Sequence, residues 1–203
     1  QYYIPLLKEW NYYFSNKKIL DIGCGNGGFT AAFGDYSNVT GIDIKTFPWK
    51  EIPNVTYKSY DIFNKPKQID TDFDLIIMRD VIEHIPDPNL MIKACSDLLV
   101  ENGLLLLRTP TEEALLRDIA KGLYLTTLKK IDFPMLWFYS YEHLHSFSTN
   151  SLKNLLVNHG FEVTKVFREE ESFDRLNISP ILKTFLSFVN IISSWTNKQH
   201  KIS

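Results

Sequence analysis

Residues 19 to 30 read Ile-Leu-Asp-Ile-Gly-Cys-Gly-Asn-Gly-Gly-Phe-Thr: a short apolar strand with an acidic residue near its end, a glycine-rich turn, and the opening of a helix. Glycines at 23, 25 and 28 are expected to take positive φ and to bring the backbone close to a ligand that a Cβ would push away. A strand feeding such a turn and then a helix is the local architecture that cradles nucleotide cofactors, so an adenosine-bearing molecule is the first ligand to consider.

The surroundings sharpen that reading. Asn38-Val-Thr-Gly-Ile-Asp-Ile44 gives a second apolar strand whose acidic end, Asp43, lies eighteen positions beyond Gly25. That is the place for a carboxylate that takes ribose hydroxyls. Val55-Thr-Tyr-Lys-Ser-Tyr-Asp61-Ile62 reads as a third strand ending in Asp61, and Phe73-Asp-Leu-Ile-Ile-Met78 as a fourth. Strands ending in acidic or polar residues on one rim mark that rim as the binding edge of an open parallel sheet.

From these, strands are expected over 18–22, 39–43, 55–60, 73–78, 103–109 and 161–168, with helices over 27–34, 88–100 and 149–159 between them. Thr149 or Asn150 is expected to cap the last helix at its start and Gly160 at its end. This alternation gives an α/β fold, a doubly wound Rossmann-like, mostly parallel sheet with helices on both faces. An aromatic-rich helix over 1–16 is expected to cover the cleft. The stretch 111–141, with Leu123, Tyr124, Phe133, Met135, Trp137 and Phe138, breaks the rhythm and reads as an inserted lid. Residues 179–195 carry a broad apolar face suited to a packed or dimerising helix, so a homodimer is one expected assembly.

Bulk composition narrows the function classes. At 203 residues, 44% hydrophobic and 23% charged, the chain suits a single domain with a sizeable core. A net charge of −2 argues against a surface that tracks nucleic-acid phosphates. Cys24 and Cys95 have neither metal-ligand spacing nor a disulfide pattern and are expected as free thiols. With no leader pattern and no run of eighteen uncharged apolar residues, a cytoplasmic location without stable membrane insertion is expected.

The chain resembles the class I S-adenosylmethionine-dependent methyltransferases. The resemblance lies in Asp21-Ile-Gly-Cys-Gly-Asn-Gly-Gly, Gly41-Ile-Asp43, Tyr60-Asp61-Ile62, Phe73-Asp-Leu-Ile-Ile-Met-Arg-Asp-Val-Ile-Glu-His-Ile-Pro-Asp-Pro88 and Leu99-Val-Glu-Asn-Gly-Leu-Leu-Leu-Leu-Arg-Thr-Pro110, in the family's order. The segment from Asp80 to Pro88, with Glu142-His-Leu-His-Ser-Phe-Ser148, is most similar to the small-molecule branch that includes ubiquinone-type O-methyltransferases and sugar methyltransferases. The resemblance implies a seven-stranded sheet, whose closing antiparallel strand is short or absent here. It also implies S-adenosyl-L-methionine as cofactor and a small-molecule acceptor: a sugar, a quinone-like compound, or another metabolite hydroxyl or amine. By the same resemblance, the backbone of Gly23 and Gly25 meets the methionine part, Asp43 with Ile44 the ribose end, Asp61 with Ile62 the adenine, and the backbone of Met78 and Arg79 the amino group. Asp21 orients the loop or reaches that amino group through water.

His84, just past the fourth strand, carries an imidazole of the kind that suits a general base. His143 and His145 alternate and share a side if the chain there is extended, so either could supplement or replace it. Glu83 and His84 could instead pair structurally. A metal site made from these groups would need three or four convergent ligands, and no metal is expected. Two other functions remain open. An NAD(P)-dependent oxidoreductase would use the same glycines and Asp43, although the only Tyr-x-x-x-Lys, Tyr13 with Lys17, precedes the loop. A non-catalytic cofactor-binding or scaffold protein is the third reading.

Overall fold

The computed structural model describes residues 13, 15–63, 69–111, 124–126 and 143–167. The cover helix expected over 1–16, the lid over 111–141, the tail helix over 179–195 and any closing strand fall outside these residues, apart from 13, 15, 16, 111 and 124–126.

Five parallel strands form one sheet: β1 (Lys18–Ile22), β2 (Asn38–Asp43), β3 (Val55–Ser59), β4 (Phe73–Arg79) and β5 (Leu99–Arg108), in the order β3-β2-β1-β4-β5. β1 and β4 sit in the middle and are apolar on both faces, as a parallel sheet covered on both sides requires. Successive side chains alternate between faces. Leu20, Ile22, Ile76 and Met78 therefore enter one core with Ile42, Met91 and Phe147, while Ile19, Leu75 and Ile77 enter the other with Phe33, Val39 and Leu106.

Helix α1 (Pro88–Leu98) starts where Asp87 accepts hydrogen bonds from the amides of Asn89 and Leu90, with proline in the first turn where no amide partner is needed. It packs Met91, Ile92, Cys95 and Leu98 onto the sheet. It ends two residues before the expected boundary because β5 begins at Leu99, four residues earlier than expected. Asn102, at φ +62°, and a register shift opposite Phe73 to Leu75 accommodate this earlier start. Helix α2 (Thr149–Asn158) is capped by Ser148, one residue before the expected caps. Its hydroxyl accepts from the Ser151 amide while Ser151 reciprocates, and Gly160 at φ +83° closes the other end.

Two expectations fail among the described residues. The helix expected over 27–34 is only a 3-10 turn, Thr30–Phe33, with Gly27, Gly28 and Gly34 around it, whose poor helix propensity keeps it from extending. The strand expected over 161–168 does not form in 161–167, which carries no ladder and instead anchors Phe161 and Phe167 in the two cores. Five strands are present among the described residues.

Candidate functional site

The carboxyl ends of all five strands lie on one edge, and the order reverses between β1 and β4, the switch point where open parallel sheets open a crevice. The glycine turn leaves β1 at this point. Gly23, Gly25 and Gly27 carry positive φ of 75°, 53° and 79°. Gly28, expected among them, does not: its amide donates to the Asn26 side chain and its backbone already begins the helical turn. The third left-handed position falls one residue earlier, because Gly27 must pass the ring of Tyr57, which a Cβ would meet at 2.6 Å.

The turn is tied down from several sides. The amides of Gly23 and Cys24 both donate to the Ile42 carbonyl, at 2.8 and 3.0 Å. The Gly25 amide donates to Asp43 Oδ2 at 2.9 Å, and the Lys45 amide to Oδ1 at 2.9 Å. Asp43, at the end of β2, thus fastens the second glycine to the neighbouring strand, and each oxygen keeps lone-pair capacity for a further donor. Trp49 Nε1 donates to the Gly25 carbonyl at 2.8 Å. Its ring stacks on Tyr57 at 5.4 Å, and the Tyr57 hydroxyl donates to the Gly27 carbonyl at 2.9 Å.

Asp21 lies beneath the loop, 2% exposed, and accepts a 2.6 Å hydrogen bond from Thr30 Oγ1. Burial pushes its pKa up to about 6, against the pull of Thr30 and Arg79 and with some help from Asp43. This geometry favours the loop-orienting role. Cys24 is pushed up to about 12 by burial and by the two nearby aspartates, and burial does the same to Cys95, so both are protonated thiols.

At the β2 and β3 ends, Ile44 is 73% exposed, whereas Ile62 is 9% exposed and belongs to the core. The exposed apolar group beside Ile62 is Phe63, at 42%. Asp61 Oδ1 accepts from the Phe63 amide at 2.9 Å and so shapes the turn that presents this ring. Met78 is fully buried, and the Arg79 guanidinium lies 3.7 Å over the Phe29 ring on the Asp21 face of the sheet. Sequence reasoning missed Phe63, Trp49 and Tyr57. Alternation along β3 could have placed Tyr57 on the Gly41 face, but nothing local announces the Trp49 bond.

Past β4, Asp80 adopts φ +55° and pairs with Arg108 at the end of β5. A 3-10 turn, Ile82–His84, follows. The Glu83 carbonyl accepts from the amides of both Leu144 and His145, at 2.8 and 3.0 Å, bringing the distant 143–145 segment to the rim. His84 and His143 consequently face each other edge to face with ring centroids 4.8 Å apart. His145 is separated from them. Its Nε2 lies 3.3 Å from the Pro86 carbonyl and its ring leans on Phe147, because the chain bends at Glu83 instead of staying extended. Glu83 is not paired with His84. Its side chain is 1% exposed and accepts from Thr109 Oγ1 at 3.0 Å. Although no metal was expected, ligand atoms of Glu83, His84 and His143 lie within 4.8 Å of one another.

A glycine turn at the switch point, sewn to an acidic residue ending β2, defines a Rossmann-like domain built for a nucleotide-bearing cofactor. A family model described as a methyltransferase domain matches residues 4–166, and the chain belongs to that family. S-adenosylmethionine is the cofactor that goes with this class, and the turn fits it: no atom of the described residues lies within 4 Å on the Cβ side of Gly25.

Among curated relatives, the ubiquinone biosynthesis O-methyltransferase of Glaesserella parasuis is 36% identical over 106 residues, 46% of this chain and 45% of that protein. The one from Pseudomonas aeruginosa is 32% identical over 104 residues, 47% and 45% of the respective chains. The match thus spans less than half the length of these relatives. Among solved structures, a SAM-dependent methyltransferase from Archaeoglobus fulgidus is similar with a TM-score of 0.59 and 18% identity, over 98% of this chain and 86% of that one. The YcgJ protein from Bacillus subtilis has a TM-score of 0.56 at 20% identity, over 78% and 67%. These two likenesses concern the fold.

Proposed function

We propose that this chain is a single methyltransferase domain that moves a methyl group from S-adenosylmethionine to an oxygen of a small-molecule acceptor, a quinone-like or sugar hydroxyl being the favoured class. The observation that carries this reading is the bond between Asp43 and the Gly25 amide beside an open glycine turn. It sets a carboxylate and a bare backbone where an adenosyl group can lie. The resemblance to ubiquinone biosynthesis O-methyltransferases supports oxygen as the acceptor atom.

Bound S-adenosylmethionine supplies an electrophilic sulfonium methyl. Asp43 accepts hydrogen bonds from sugar hydroxyls, and Ile44 and Phe63 offer apolar surfaces for a flat base. Arg79 and Asp21 brace the turn from below. The acceptor's hydroxyl must lose its proton as the new bond forms, and the His84 and His143 pair is the group at this rim suited to draw that proton off. Holding the two reactants in line supplies much of the acceleration, about 7 kcal/mol or more when orientation is ideal. Asp80 and Arg108, paired beside β4 and β5, add polar groups that can orient an acceptor.

Calorimetric titration with S-adenosylhomocysteine and, separately, with NADH tests the reading: the former binds and the latter does not. A response to NADH alone overturns it in favour of an oxidoreductase. For the acceptor side, His84→Ala lowers turnover tenfold or more, measured as S-adenosylhomocysteine released with polyphenol and sugar acceptors, while S-adenosylhomocysteine affinity stays within a few-fold. Unchanged turnover acquits His84.

A further inference from the structure

We infer that Arg108, held by Asp80, anchors an oxyanion carried by the acceptor, a carboxylate or a phosphate ester, so that this rim selects an acidic small molecule over a neutral one of the same shape. Three observations lead there. The first is register: β4 and β5 set Arg79 directly beside Arg108. Alternation carries both side chains to the face that holds Leu75, Ile77, Leu104 and Leu106. Two arginines thus stand at the carboxyl rim on strands about 4.8 Å apart. Like charges directly opposite each other in a sheet are unfavourable, and an anion drawn to the pair relieves that repulsion.

The second observation is that the two arginines are held differently. Arg79 lies 3.7 Å over the Phe29 ring, within the field of Asp21, and belongs to the cofactor side. Arg108 instead meets the Asp80 carboxylate through Nη1, with 26% of its side chain still exposed. The third is the backbone of Asp80. Its φ of +55° lies outside the regions that most residues occupy, and its amide donates to the Arg108 carbonyl at 2.9 Å. Asp80 therefore grips Arg108 by backbone and side chain together, and strain of this kind gathers where a group is held ready for a ligand.

The chemistry of the anchor selects the ligand. A guanidinium offers five N–H donors in a planar fork that matches carboxylate and phosphate oxygens, more than a single carboxylate takes up. Thr109, the residue after Arg108, donates to Glu83, the neighbour of His84. An oxyanion seated on Arg108 is thereby tethered near the histidines assigned to the acceptor's hydroxyl and orients the molecule from a second point. No bond is made or broken at Arg108, which contributes charge and orientation. This catalytic consequence rests on the methyl-transfer reading; the anion binding does not.

The test titrates the full chain, with and without saturating S-adenosylhomocysteine, with benzoate, phenyl phosphate and the neutral benzamide, read by ligand-observed nuclear magnetic resonance at low salt. At least one anion is expected to bind tenfold or more tightly than benzamide. Benzoate as the tighter of the two points to a carboxylate on the acceptor, phenyl phosphate to a phosphate ester. Arg108→Gln is expected to bring both anions to the level of benzamide without changing S-adenosylhomocysteine affinity. Arg108→Lys keeps the charge but loses the fork, and is expected to cut the preference threefold or more; it remains informative if Arg108→Gln fails to fold. Lys93→Gln, which breaks an exposed ion pair with Asp97 on α1, is expected to leave anion binding unchanged. A parent chain that binds neither anion better than benzamide, or Arg108→Gln with the preference intact, overturns the proposal. So does a tenfold loss of S-adenosylhomocysteine affinity in Arg108→Gln, which would make the arginine a cofactor contact. The two ideas fail separately: cofactor binding without anion preference sinks the anchor alone, and anion preference without cofactor binding sinks methyl transfer alone.

Discussion

The two sides of the crevice are built by different means. On the cofactor side, the contacts are made by backbone: the amides of Gly23, Cys24 and Gly25 go to Ile42 and Asp43, and the carbonyls of Gly25 and Gly27 receive Trp49 and Tyr57. On the acceptor side, the clustered atoms belong to side chains of Glu83, His84 and His143, brought together where the Glu83 carbonyl holds the 144–145 amides. A backbone cradle demands particular residue types at fixed spacing, since only glycine tolerates the φ and the close approach. A side-chain cluster demands only that two distant segments meet. The first kind of site is rigid and generic to a cofactor; the second can be re-specified by changing a few residues.

The severest challenge to that contrast is Gly23→Ala. Its Cβ would stand 2.3 Å from Val81 Cγ2 at a φ of +75°. The left-handed conformation costs about 1–2 kcal/mol in a non-glycine residue, and the overpacking about 1–3 kcal/mol more. Val81, β-branched, can yield only by changing χ1. Urea unfolding should show the midpoint drop accordingly with an unchanged slope. A loss below about 1 kcal/mol would mean that the cradle is not the rigid half of the site.

The same contrast explains what could be read from the chain. β1 to β4 and the place of Asp43 at the end of β2 were legible because period-two apolar patterning and glycine spacing are local constraints. The third positive φ was misplaced at Gly28 because only the distant Tyr57 ring decides between it and Gly27. Ile62 and Phe63 were exchanged for a similar reason: both are apolar, and which one faces the rim depends on the Asp61 turn. His143 and His145 looked equivalent in sequence, and one carbonyl of a residue some sixty positions earlier separates them. Convergence of Glu83 with His143 left no local trace at all.

Asp21 offers a way to sharpen the comparison through pH. Its pKa is raised from 3.8 to about 6 in the folded chain, chiefly by burial. A folded value above the unfolded one means the native state holds the proton more tightly. The associated stability is therefore fully present below about pH 4 and lost as pH rises to about 6, amounting to roughly 3 kcal/mol at 1.36 kcal/mol per unit. Asp21→Asn carries no such titration. Whatever its offset at pH 4, it should gain on the parent by up to about 3 kcal/mol by pH 7, measured by urea unfolding at both values. A constant gap would show that the carboxylate beneath the cradle is solvated.

Asp43→Ala removes the acceptor for two amides and the group assigned to the ribose, and should weaken S-adenosylhomocysteine binding by about 1–3 kcal/mol, the scale of a lost charged partner. If calorimetry finds no loss, the cradle's link to β2 is only structural and the ribose role fails. Asp43→Asn separates the two effects, because it keeps an acceptor for one amide while losing the charge.

The smallest effect tests whether the cradle is held by its aromatic strap. Trp49→Phe should preserve most of the stacking on Tyr57 while deleting the 2.8 Å bond to the Gly25 carbonyl. The net value of such a bond is about 0.5–1.5 kcal/mol, so affinity for S-adenosylhomocysteine should fall roughly two- to tenfold, with little change at the histidine cluster. Tyr57→Phe deletes the parallel bond to Gly27 and should do the same. Because both bonds restrain one short turn, the double variant should lose more or less than the sum of the singles, a coupling that distant independent sites do not show. Strict additivity with no loss of affinity in either single variant would mean that Asp43 and Ile42 alone fix the turn. Trp49 and Tyr57 would then serve the packing of β3, and the rigidity of the cofactor side would come entirely from its backbone.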